Sequence, residues 1–252
     1  MLAQQTIDQL HQMRLLGMAA GFKDQLDKPD FNDLCFEERF GLLVDQEWTH
    51  RHNKRMARLL QQAKLRLPAS MENIDYRRQR GLDRALLASL STCQWITSHH
   101  NAIVTGPTGV GKSFIICALA NAACRHDFSV RYYRVPRLLQ ELALARGDGS
   151  YQRLLSQLAK TDLVVLDDWG LAPFSEINGR DLLEVLDDRY RLRSTAIASQ
   201  PPIEDWHKLF PNPTVADAIM DRLVHNAHKM PMLGDSMRKL EATLDQAGQS
   251  NA

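Results

Sequence analysis

Eight consecutive residues carry the sharpest chemical signal in this chain. Gly106-Pro107-Thr108-Gly109-Val110-Gly111-Lys112-Ser113 fits G-x-x-x-x-G-K-S in full. Gly106, Gly109 and Gly111 let the backbone turn so that successive N–H groups face inward onto anionic oxygens. Lys112 at this spacing reaches the β- and γ-phosphates of a nucleoside triphosphate, and the Ser113 hydroxyl suits a magnesium ion. A short apolar run, Asn101 to Thr105, precedes the loop, and a helical pattern from Lys112 to about Arg125 follows it. The helix therefore adds the positive end of its dipole to the cradle. The pattern predicts a site for ATP with Mg2+.

A second signal lies downstream. The apolar run Leu163-Val164-Val165-Leu166 delivers Asp167 and Asp168 to its C-terminal end. After a phosphate loop, such a strand supplies one carboxylate to the magnesium shell, the role assigned to Asp167. Asp168 is then placed to orient or activate a water. The adjacent second acid favours hydrolysis over transfer to a bound acceptor, so a small-molecule kinase is the weaker alternative. Ser199 and Gln200 follow the run Thr195–Ala198. Either is a candidate to stand between the second acid and the γ-phosphate, and an ordinary strand-end turn is an equal reading. Arg222 and Arg238, taken alone, read as arginines paired with neighbours, Asp221 among them.

These residues need elements to hold them. Helical spacing covers residues 6–28, with Thr6 as N-cap, and the Lys28-Pro29-Asp30 stretch breaks it. A second helix begins after Asn32 or Asp33 and runs toward Leu67-Pro68, with Glu37 and Glu38 in its first turn. Pro68-Ala69-Ser70 marks a join, so residues 1–70 read as a helical N-terminal domain for partner or DNA interaction. From residue 81 a different rhythm begins: a helix from Asp83 to about Ile96, then apolar strands at 101–105, 129–134, 163–166 and 194–198, alternating with helices. That alternation predicts an α/β domain over 71–240, a parallel sheet covered by helices on both faces. Residues 241–252 read as a polar, flexible tail.

Composition narrows the class. Hydrophobic residues make up 44% of 252, enough for a packed core, and the net charge is only +1. The charge is unevenly placed: residues 1–50 carry 4 Lys/Arg against 9 Asp/Glu, whereas residues 51–84 carry 10 against 3. The basic section, including Arg51, Lys54, Arg55, Arg58, Lys64, Arg66, Arg77, Arg78, Arg80 and Arg84, suggests an anionic partner, although a solvated helix face is the bland alternative. Cys35, Cys93, Cys117 and Cys124 form no C-x-x-C pair and read as reduced thiols. The histidines at 50, 52, 99 and 100 lack partners at ligand spacing, so no zinc is expected. No signal peptide or membrane span is expected either, and the reduced thiols make the cytoplasm the expected location.

Several further stretches match a known pattern: Phe36-Glu37-Glu38-Arg39 with Gly41 to Trp48, Gly81-Leu82-Asp83-Arg84, Leu166-Asp167-Asp168-Trp169-Gly170, Ser199-Gln200 before Trp206, Asp221-Arg222-Leu223-Val224-His225, and Gly234-Asp235-Ser236-Met237-Arg238. With the phosphate loop, this ordered set resembles the IstB-like transposition-helper ATPases, relatives of the DnaC helicase loaders in the AAA+ class. The resemblance implies an AAA+ core, ATP-controlled oligomers on double-stranded DNA with nucleotide at subunit interfaces, and recruitment or stimulation of a cognate transposase. It implies that Arg222 reaches a neighbouring subunit's nucleotide and that Arg238 is a second sensor. A DnaC-like loader of a replicative helicase is the alternative within the class. Trp169 stands where relatives often carry Phe, and Gln200 where many loaders carry Asn.

Overall fold

In the computed structural model, residues 2–77 and 80–237 are described, so Arg78, Arg238 and the expected tail lie outside the described residues. Contacts divide the chain into two compact units, residues 1–58 and residues from Leu59 onward. The division falls before the join expected at Pro68–Ser70. The reason is that Leu59, Ala63, Ala69 and Ile74 bury themselves in the core of the second unit.

The first unit contains α1 (Leu2–Gln12), α2 (Leu16–Asp27) and most of α3 (Phe36–Ala63). The single helix expected over 6–28 is two. Arg14 adopts a left-handed conformation (φ 60°), and Thr6 is no N-cap, since its hydroxyl donates to the Leu2 carbonyl inside α1. The break is set by tertiary contact rather than by a local breaker. Gly17 opens α2 against α3 so closely that a Cβ there would lie 2.7 Å from the Gln46 carbonyl oxygen. At that crossing Glu47, nearly buried, caps α2 from outside: its Oε2 accepts from the Gly17 N–H at 2.7 Å and the Met18 N–H at 3.1 Å. Arg51 donates to Oε1 at 2.6 Å.

Burial alone would raise the Glu47 pKa, but the hydrogen bonds from Arg51, Met18 and Gly17 outweigh it and hold the carboxyl below its ordinary value. A depressed carboxyl pKa stabilises the fold fully above the unfolded value, and that contribution is lost as pH falls through the folded value. Glu47→Gln is expected to cost about 1 kcal/mol at neutral pH in urea unfolding. It should also flatten the loss of stability on acidification. A wild-type acid slope in the variant would show that the cap carries no such energy.

In the second unit, five parallel strands follow the order β2-β3-β4-β1-β5: β1 Asn101–Thr105, β2 Val130–Arg134, β3 Leu163–Trp169, β4 Ser194–Ser199 and β5 Ala227–Pro231. Alternate strand residues build two cores. Ala102, Val104, Val165 and Ala198 pack with α6 (Lys112–Arg125) and α4 (Arg84–Ser91). Ile103, Val164, Leu166 and Ile197 pack on the other face with α7 (Val135–Asp148), α8 (Tyr151–Lys160), α9 (Glu176–Asp187) and α10 (Pro213–Val224). The expected doubly covered sheet is therefore present.

The helix expected over 83–96 is interrupted at Cys93 (φ 59°), which separates α4, capped by Asp83, from the short α5 (Gln94–Thr97). The edge strand β5 was not anticipated. Its sequence, Ala-His-Lys-Met-Pro, lacks an apolar run because only Met230 is buried, and its terminal proline is tolerated at an edge. The four cysteines are free thiols, three of them buried. Among the described residues no helix is long and apolar enough to cross a membrane.

Candidate nucleotide site

The phosphate loop joins β1 to α6, and its glycines adopt the conformations their type permits: φ is 146° at Gly106, 89° at Gly109 and 103° at Gly111. Side chains are also excluded by space. A Cβ on Gly109 would lie 2.1 Å from Ser236 Oγ, because the segment after β5 packs on the loop and the Met237 N–H donates to the Gly109 carbonyl at 2.9 Å. The loop is braced from a second side by Arg80, nearly buried, whose Nη1 donates to the Val110 carbonyl at 3.2 Å. Arg80 thus faces inward, not toward a partner as the basic run suggested. The Lys112 ammonium donates to the Gly106 and Pro107 carbonyls, each at 2.7 Å.

β3 runs three residues further than expected and carries the acids within it. Its register against β4 slips between Leu166 and Trp169, and Asp168 takes a left-handed φ of 59°. Such a bulge re-aims a side chain at a functional end of a sheet. Asp167 is buried and accepts from Tyr132 Oη at 2.6 Å. Burial, and then Asp167 itself, push the Tyr132 pKa up, so the phenol stays protonated and donates. Asp168 Oδ2 accepts from Arg134 Nε at 2.5 Å, an ion pair that raises the arginine's pKa. Arg66 Nη1 lies 3.8 Å from Asp167 Oδ2 and 3.9 Å from Asp168 Oδ2. Behind the acids Trp169 is fully buried, with ring centroids 5.2 Å from Trp206 and 5.3 Å from Phe174. The indole packs within this aromatic cluster, its buried Nε1–H without a hydrogen-bond partner among the described residues.

One cavity unites these parts. Thr108, Gly109, Lys112 and Ser113 line it from the loop, Asp167 and Asp168 from β3, and Gln200 from the end of β4. Arg66 and Arg134 complete the wall. Between the two candidates after β4, geometry separates them. Gln200 lines the cavity, whereas Ser199 is fully buried and accepts from Trp206 Nε1 at 3.0 Å. The oxygen-rich pair of Ser113 and Asp167, beside a loop that admits no side chain at Gly109, fits a magnesium-bound polyphosphate.

Arg222 is elsewhere. Its backbone carbonyl accepts from Asn101 Nδ2 at 3.1 Å, at the start of β1, while the loop follows the end of β1. At about 3.3 Å per residue, a five-residue strand puts roughly 13 Å between those two ends. Its guanidinium is ion-paired with Asp187 and donates to the Ala218 carbonyl at 2.9 Å. Arg238 lies outside the described residues. The inward roles of Arg66, Arg80 and Arg134 were not legible, since a charge run carries no sign of which members turn inward.

Comparison with known proteins agrees with this geometry. A family model described as IstB-like ATP binding protein matches residues 8–244. A Sinorhizobium fredii protein whose name describes an insertion sequence ATP-binding protein is 51% identical over 239 residues, covering 95% of this chain and 98% of its own. A similarly named protein of the insertion sequence IS1162 in Pseudomonas fluorescens is 51% identical over 203 residues, covering 80% and 88%. Among solved structures, the DnaC helicase loader aligns with a TM-score of 0.57 at 16% identity, over 68% of this chain and 100% of that one. DnaI aligns with a TM-score of 0.56 at 20% identity, over 70% and 94%.

Proposed function

The chain belongs to the IstB-like ATP-binding protein family and has the AAA+ P-loop fold, and from that footing we propose that it is a DNA-binding ATPase that oligomerises on duplex DNA and recruits or stimulates the transposase of its insertion sequence. The observation that supports the ATPase part of this reading is the cavity joining the phosphate loop to Asp167, Asp168 and Gln200. A loader of a replicative helicase is the weaker reading. The relatives at 51% identity are named for insertion sequences, whereas the likeness to DnaC and DnaI is one of fold alone.

In the proposed reaction Lys112 exchanges the Gly106 and Pro107 carbonyls for phosphate oxygens, a charge-assisted and therefore stronger pairing. Ser113 and Asp167 would hold magnesium, which would supply charge to neutralise the phosphate oxygens. Asp168 orients the attacking water and accepts its proton, and Gln200 is placed to contact the γ-phosphate. Arg134 restrains Asp168, so turnover requires that pair to open. Arg222, at the opposite end of β1 from its own loop, acts on the nucleotide of a neighbouring subunit. The site is then shared across a head-to-tail interface.

For DNA, Arg66 and Arg80 drop out of the basic run because they serve the nucleotide cavity. Lys54 and Arg58, exposed on α3, are the candidates for phosphate contact, which is independent of sequence and weakened by salt. The test is duplex DNA binding with and without ATP, across a salt series. Wild type should bind more tightly with ATP, lose affinity as salt rises, and lose the ATP effect in Lys112→Ala. Binding indifferent to both ATP and salt would overturn the proposal.

A further inference from the structure

We propose that Arg66 is a cis-acting sensor of the terminal phosphate, so that this chain distinguishes ATP from ADP through the segment directly after α3. The inference rests on the nucleotide reading of the cavity and deepens it.

Three observations support it. First, Arg66 lines the same cavity as Lys112 and Ser113. Second, its Nη1 is poised between the two acids, 3.8 Å from Asp167 and 3.9 Å from Asp168, at neither of which it reaches hydrogen-bond distance. Third, the backbone that carries it is fixed. Ala63 and Ala69 are buried, and Leu65 and Leu67 pack on the same core as α6. A long side chain on an anchored backbone, 37% exposed over its length, can change partner without moving the chain.

Chemistry fixes which partner. Ser113 and Asp167, which line this cavity together, would hold the divalent cation that neutralises the terminal phosphates. A guanidinium within 4 Å of both carboxylates is therefore at the γ end of the site, not the adenosine end. A divalent cation held at Asp167 would disfavour Arg66 at that carboxylate by like charge. The terminal phosphate offers the same planar fork a stronger acceptor. ADP offers no such group, so with ADP Arg66 stays beside Asp168.

The test measures equilibrium affinity of the full-length protein for ATP and for ADP, both with magnesium, using fluorescent nucleotide displacement. Wild type, Arg66→Gln and Arg66→Lys are compared, with thermal melting as a check on folding. Arg66→Gln should weaken ATP about tenfold while ADP stays within about twofold, and Arg66→Lys, which keeps charge but not the fork, should fall between. Equal losses for both nucleotides, or no loss for either, would overturn the sensor role. A wild type that binds neither nucleotide would instead sink the reading of the cavity itself.

Discussion

Arg222→Ala is expected to leave ATP affinity within about twofold of wild type while lowering DNA-dependent ATP turnover by about 10³-fold, the range over which an arginine supplied to a transferring phosphoryl group acts. The two halves of that prediction come from one geometric fact. Arg222 sits by the first residue of β1 and the phosphate loop follows its last, so the side chain cannot serve the nucleotide of its own subunit. It is also engaged at home, with Asp187 and the Ala218 carbonyl. On the proposed shared site, assembly exchanges Asp187 for a neighbour's phosphate. Removing that competitor by Asp187→Asn should promote ATP-dependent assembly, whereas Arg222→Ala should oppose it. Sedimentation with ATP reads both. If Arg222→Ala weakens ATP binding and turnover in proportion, the arginine acts within its own chain and the shared-site account fails.

Asp168→Asn is the second large effect. ATP affinity should be retained, because Lys112 and Ser113 are untouched, while turnover drops about 10²–10⁴-fold with loss of the general base. The substitution also releases Arg134 from its ion pair. Rescue is not expected from that release, since the freed arginine offers no basic group to a water. Single-turnover measurement with saturating ATP separates the outcomes. Turnover near the wild-type rate would remove Asp168 from the chemistry and leave Arg134 as a purely structural partner.

The features legible in the sequence share one property: local pattern encodes them. The loop between β1 and α6 is a fixed spacing, and the central strands are continuous apolar runs because helices cover both faces. Asp167 and Asp168 were visible as polar residues ending such a run. The missed features are set by partners distant in sequence. β5 is an edge strand with one buried residue, too polar to signal itself. The break at Arg14 follows from Gly17 meeting α3 and from Glu47 capping α2 across 30 residues of chain. Arg66 and Arg80 look like any other members of a basic run, yet Val110 and the acid pair claim them. Arg189 is the extreme case: fully buried, it donates to the Leu158, Thr161 and Ser194 carbonyls and to Thr195 Oγ1, tying the end of α8 to the start of β4. No spacing rule would have placed a guanidinium there.

The most direct test of a shared site mixes two inactive proteins. Asp168→Asn binds ATP and keeps Arg222, and Arg222→Ala keeps a complete loop and acid pair. Combined in equal amounts on duplex DNA with ATP, they should recover about a quarter of wild-type turnover, the fraction of head-to-tail contacts in a random assembly that joins an intact site to an intact arginine. A mixture as inactive as either protein alone would contradict the account.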